Sequence, residues 1–187
     1  MISHLVCLLE EKSAGAFLRV LLPRVLPPSV TPCYMEFEGK QDLQRRMAKR
    51  MHGWIQPNTA FLVLRDQDSG DCKQVKRELA QVAASTGKHP VVIRIACQEL
   101  ESFFIGDLRA VALAFDAPKL ATLAGIAKFR LPDKLGSPSK ELASLLKLRH
   151  FPKVDGARRI AAHMNLYDNK SGSFQALLTG LERLVAS

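Results

Sequence analysis

The stretch Ala60-Phe61-Leu62-Val63-Leu64-Arg65-Asp66-Gln67-Asp68-Ser69-Gly70-Asp71 begins apolar and ends on carboxylates. Residues 60–64 read as a short strand, and the Asp- and Gly-rich tail as its exit. Working outward, residues 5–9, 33–37 and 91–96 are further strand-like runs, while 14–26, 42–54 and 72–85 carry helical patterns. The order is βαβαβαβ. Short apolar strands joined by helices predict a mostly parallel four-stranded sheet covered on both faces, with right-handed crossovers. Within 42–54, Leu43, Met47, Met51 and Trp54 recur at helical spacing, which turns Arg45, Arg46, Lys49 and Arg50 outward. Pro23 predicts a stop or kink after Leu22 in the first helix.

Beyond Glu99 the signals become short helical pieces at 100–104, 108–115, 140–148, 157–163 and 174–185, broken by Gly106, Pro118, Pro132, Gly136, Pro138 and Pro152. The reading is therefore an α/β core over residues 1–106 and a basic helical extension over 107–187, packed on the core as one compact unit. Residues 131–138 are the expected mobile loop.

Bulk properties narrow the class. The 187 residues are 47% hydrophobic and 24% charged, suited to one globular domain. The first apolar run is far shorter than the roughly 20 residues a bilayer crossing needs, and no basic leader precedes it. A soluble, cytoplasmic protein beginning near Met1 is expected, with no membrane role. Cys7, Cys33, Cys72 and Cys97 lack CxxC spacing, which disfavours zinc and suits packed thiols in a reducing compartment. A net charge of +9 favours polyanions such as nucleic acid or an anionic membrane surface, and sign alone does not choose between them. Arg45, Arg46, Lys49 and Arg50 form one basic concentration. Residues 119–170 form another, in which Lys153, Arg158 and Arg159 are the better candidates for phosphate contacts.

Ligands in open parallel sheets gather beyond the carboxyl ends of the strands. The first strand exits into Glu10 and Glu11, the third into Asp66, Asp68 and Asp71, and the fourth leads to Glu99 and Glu101. Such crowding raises carboxyl pKa values unless a cation relieves it, and an all-oxygen donor set suits Mg²⁺ or Mn²⁺. An extended backbone through Asp66-Gln67-Asp68 would aim both Asp side chains the same way. The same residues also suit a plain turn. A calcium loop is excluded, because Arg77 falls where the bidentate Glu is required.

Two motifs, Leu9-Glu10-Glu11-Lys12-Ser13 and Asp66-x-Asp68, resemble those of TOPRIM-like families, including OLD-family/TOPRIM nuclease domains. Glu11 replaces the usual Gly, and Ala14 stands where many members carry a second Glu. The chain as a whole resembles the DUF4276 group, a family of unknown function. That likeness lies in Gly39-Lys40-Gln41-Asp42-Leu43, Glu99-Leu100-Glu101-Ser102-Phe103-Phe104, Pro138-Ser139-Lys140 and Lys153-Val154-Asp155-Gly156-Ala157-Arg158. The resemblance implies a Mg²⁺-dependent nuclease-like subunit in phage defence or repair, with an ATPase partner and possible homo-oligomers. Asp66 and Asp68 would hold the ion, Glu10 would share it or act as general acid/base, and Glu99 and Glu101 would complete a second metal position. A non-catalytic nucleic-acid or assembly module is the alternative.

Lys140 follows Ser139, a candidate helix cap, and would face a phosphate there. The five histidines show no ligand spacing, and Gly39-Lys40 lacks the remaining residues of a P-loop.

Overall fold

A computed structural model describes residues 2–186. Four strands, β1 (His4–Leu9), β2 (Thr31–Glu36), β3 (Thr59–Asp66) and β4 (Val91–Ala96), lie all parallel in the order β2-β1-β3-β4. Leu9 pairs with Glu36 on one side and Leu64 on the other, and Asp66 pairs with Ala96, so all four strands finish along one edge. Helix α1 (Lys12–Leu21) packs on one face, and α2 (Lys40–His52) and α3 (Cys72–Ala84) pack on the other. Strand order therefore reverses between β1 and β3, and the crevice expected at such a reversal opens between their carboxyl ends.

Alternation along the strands explains why they read as continuous apolar runs. Leu5, Cys7, Leu9, Ala60, Leu62 and Leu64 bury toward α1, against Phe17, Leu18 and Leu21. Val6, Leu8, Phe61 and Val63 bury toward α2 and α3, against Leu43, Met47, Met51, Val75 and Leu79. Both faces are covered, so neither can be polar.

The second half of the chain builds α4 (Glu101–Ile105), α5 (Leu108–Ala114), α6 (Lys119–Leu123), α7 (Pro138–Leu145), α8 (Lys153–Ala161) and α9 (Gly172–Ala186). Helix α8 lies along α1, and α9 packs on β4. Phe17 of α1 meets Phe103 and Phe104 of α4 at 5.8 Å each and Phe174 of α9 at 6.3 Å, so the extension and the sheet share one core. Gly156 in α8 admits the buried ring of Phe151, which a Cβ there would strike.

Helix α1 ends at Leu21, one residue from the stop that Pro23 predicts, and a 3-10 turn, Leu22–Arg24, follows, because Pro23 cannot donate into a continuing helix. Two other local expectations change. Residues 131–138 are not a free loop: a 3-10 turn, Pro132–Lys134, is pinned by Asp133, which accepts from Ser171 Oγ at 2.6 Å and Ser173 N at 2.7 Å. Ser139 does not cap α7. Pro138 starts that helix, and the Ser139 N–H donates to Glu99 Oε2 at 2.7 Å instead. Among the described residues, no helix is long and apolar enough to cross a membrane.

Candidate functional site: carboxylates on both sides of one sheet edge

Alternation that fills the core also sorts the polar residues at the strand exits. Glu10 continues the Val6 and Leu8 row and lies with Arg65 on the α2 and α3 side; Asp66 continues the Leu62 and Leu64 row toward α1, α4 and α8. The backbone joins the two sides, because Asp66 N donates to Glu10 Oε2 at 3.0 Å.

On the α1 side the dominant residue is Glu101. It is 1% exposed, and neither carboxylate oxygen has a hydrogen-bond partner outside its own residue. Burial pushes its pKa up to about 7, although the Lys153 ammonium works against that rise. Burial likewise raises the Asp66 carboxyl well above the usual carboxylate range, and the charges of Glu101, Glu10 and Glu11 push the same way. Lys153, at the start of α8, is the cation these groups share, and its Nζ lies 3.5 Å from Glu11 Oε2. Burial works to discharge Lys153, but Glu101, Glu11, Asp66 and Glu99 together keep its pKa above the ordinary lysine value. Ser13 Oγ donates to Glu11 Oε2 at 3.2 Å, and Glu99 is occupied by the Ser139 amide.

On the other side, burial raises the Glu10 carboxyl; the Asp66 N–H opposes this and the Asp68 charge adds to it. Arg65 Nε stands 3.7 Å from Glu10 Oε2, while its buried Nε and Nη1 find no hydrogen-bond acceptor. Asp68 does not extend the strand alternation. Its φ of 54° is left-handed, and its carboxylate turns to Lys40 Nζ at 3.0 Å at the start of α2. Asp71 caps α3, accepting from Gln74 N at 2.7 Å.

The sequence-nominated residues thus divide. Glu10, Asp66 and Glu101 gather at the switch point with Glu11 and Lys153, Glu99 and Asp68 stand at its margins, and Asp71 serves a helix end. Arg45 and Arg46 reach Asp42 in their own helix, both at 3.0 Å, while Lys49 and Arg50 are exposed. Arg158 pairs with Asp155 at 2.7 Å, and Arg159 donates to the Ala114 carbonyl and lies over the Phe115 ring. Lys140 is exposed, beside Lys153 in a cleft between α7 and α8. Sequence reading missed Arg65 and placed Lys153 on a nucleic-acid backbone, not among the carboxylates; a lone basic residue at a strand end or helix start carries no signal for either role.

Among the described residues no three of His, Cys, Asp and Glu stand together as a ready-made metal cage. The donor chemistry nevertheless fits a hard divalent ion. Two unpartnered buried oxygens on Glu101, beside an Asp66 that resists ionisation, form a pocket that requires a proton or a cation. Mg²⁺ is commonly held by one or two carboxylates with water and substrate phosphate completing its shell.

Fold and site together define an all-parallel α/β protein with a charge-dense carboxylate cluster at its topological switch point. Over residues 9–182 the chain matches the family described as "Domain of unknown function (DUF4276)", and it belongs to that family. Comparison with curated proteins and with solved structures found no match.

Proposed function

We propose that this chain is a Mg²⁺- or Mn²⁺-dependent nuclease-like subunit that hydrolyses phosphodiester bonds of DNA or RNA. The observation that carries the reading is the buried, unpartnered Glu101 carboxylate beside Asp66 at the switch point. Asp66 and Glu101 would hold the ion, which when bound polarises a phosphoryl oxygen and makes a coordinated water more acidic. Glu10, fixed by the Asp66 N–H and more basic than an ordinary carboxylate, takes the proton of the attacking water. Lys153 faces the negative charge of the scissile phosphate, and Lys140 stands outside it as a second cation. The TOPRIM-like resemblance of the Glu10 and Asp66-x-Asp68 motifs points the same way, and with it go the ATPase partner and the defence or repair setting.

Cleavage of plasmid, linear and single-stranded substrates with Mg²⁺ or Mn²⁺ tests the proposal. Glu10→Gln, Asp66→Asn and Glu101→Gln should each lower the rate about 100-fold or more. Activity that ignores all three changes, or none under any metal condition, defeats it. The lack of a ready-made three-ligand cage favours a second reading, a non-catalytic nucleic-acid-binding or assembly module. That reading requires salt-sensitive binding that survives the loss of Asp66 and Glu101.

A further inference from the structure

A cleft of about 530 Å³ runs along the outer edge of β4, lined by Cys72 and Lys76 of α3, Arg94 of β4, Cys97, and Ser173 and Arg183 of α9. Arg94 is built into its wall. Its Nε donates to the Ala176 carbonyl at 2.6 Å and its Nη1 to the Ile93 carbonyl at 2.8 Å, so two uncharged acceptors fix the guanidinium. Gly180 makes room for it, since a Cβ there would sit 2.5 Å from Arg94 Nη2. Among the described residues no carboxylate pairs with Arg94 or Lys76. Arg183 lies near enough that, after burial, its charge also lowers the Arg94 pKa.

Asp133 also lines the cleft, but its two oxygens are taken by Ser171 and Ser173. Lys76 and Arg94 therefore bring to the wall positive charge that no carboxylate among the described residues pairs. Sequence reading favoured other faces, where Arg45 and Arg46 share Asp42, and Arg158 and Arg159 share Asp155. The cleft also has the right position. It reaches Cys97, two residues before Glu99, and extends back past Arg94, a strand distance of about 10 Å from the carboxylate edge.

We infer that this cleft is a phosphate-binding groove that holds the sugar–phosphate backbone of a nucleic acid beside the carboxylate site, an inference that rests on the nucleic-acid reading above. The contacts are to backbone phosphate, so the groove contributes affinity and salt dependence and little base preference.

Binding of labelled single- and double-stranded oligonucleotides, followed by anisotropy in EDTA across a salt series, tests the groove without cleavage. Lys76→Ala should weaken binding about fivefold at low salt and flatten the dependence of log affinity on log salt by about 1. Arg94→Gln should act in the same direction, with thermal melts confirming that it folds. An Arg45→Ala/Arg158→Ala control should stay within about twofold of wild type, since these side chains already share carboxylates.

Unchanged affinity in both Lys76→Ala and Arg94→Gln overturns the inference, as does an equal loss in the control or no oligonucleotide binding by wild type. Inorganic phosphate, titrated in parallel, separates the sources: stabilisation by phosphate that depends on Lys76 and Arg94, with oligonucleotide affinity independent of them, assigns the groove to a free phosphate ligand and also overturns it. Because binding is read in EDTA, a groove that binds in a chain that does not cleave would leave the inference standing and remove only the hydrolytic reading.

Discussion

Replacing Glu101 by Gln should change how stability responds to pH more than it changes stability itself. The folded chain holds the Glu101 proton up to a pH of about 7, whereas an unfolded chain releases it near 4.5. Between those values the folded state carries more protons than the unfolded one, so stability falls as pH rises through the window. At about 1.4 kcal/mol per pH unit, the displacement corresponds to a loss of about 3 kcal/mol by neutral pH in metal-free protein. Gln cannot ionise. Any fixed cost of seating an amide where the carboxylate had no partner offsets the variant's curve without tilting it. Urea unfolding in EDTA at intervals from pH 4.5 to 8 should show a wild-type curve falling relative to Glu101→Gln by about 3 kcal/mol. Mg²⁺ added near pH 8 should recover stability in wild type and not in the variant. Parallel pH curves would refute the reasoning, because they would mean that Glu101 ionises as easily folded as unfolded.

Two further substitutions separate roles that the sequence runs together. Asp71→Ala should cost about 1 kcal/mol in urea unfolding through the lost α3 cap, while metal-dependent cleavage, measured alongside, stays within about twofold. A large loss of cleavage with little loss of stability would make Asp71 a ligand after all. Gly156→Ala drives a Cβ into the buried Phe151 ring and should cost about 1–3 kcal/mol, read as a lower urea midpoint with the slope unchanged.

The sheet was legible because its signal is local. Every strand is a short apolar run ended by polar or turn residues, and the predicted limits at 60–64 and 91–96 lie within two residues of Thr59–Asp66 and Val91–Ala96. Leu43, Met47 and Met51 are buried as the helical spacing requires. The site was legible only as far as strand exits could carry it. Asp66-x-Asp68 was expected to continue the alternation of an extended chain, but the left-handed turn at Asp68 depends on contacts that a two-residue spacing does not encode. Glu101 was nominated for a second metal position only by its place after the fourth strand, which does not encode its burial; it is buried because α7 and α8, far along the chain, close over α4. Lys153 beside Glu11 is likewise a long-range meeting. Helix α6 (Lys119–Leu123) went unforeseen, being a single turn too short for periodicity to register.

The shared core also has a consequence in time. During synthesis Glu10, Asp66 and Glu101 leave the ribosome before the helix that brings Lys153, and α1 emerges with an apolar face that awaits α4, α8 and α9. A nascent chain with all four strands made still lacks the cation that balances its carboxylates and the rings that enclose Phe17. Assembly of the site is thus deferred until α8 and α9 have been made, and a translation product that stops short of them would present the acids without their setting.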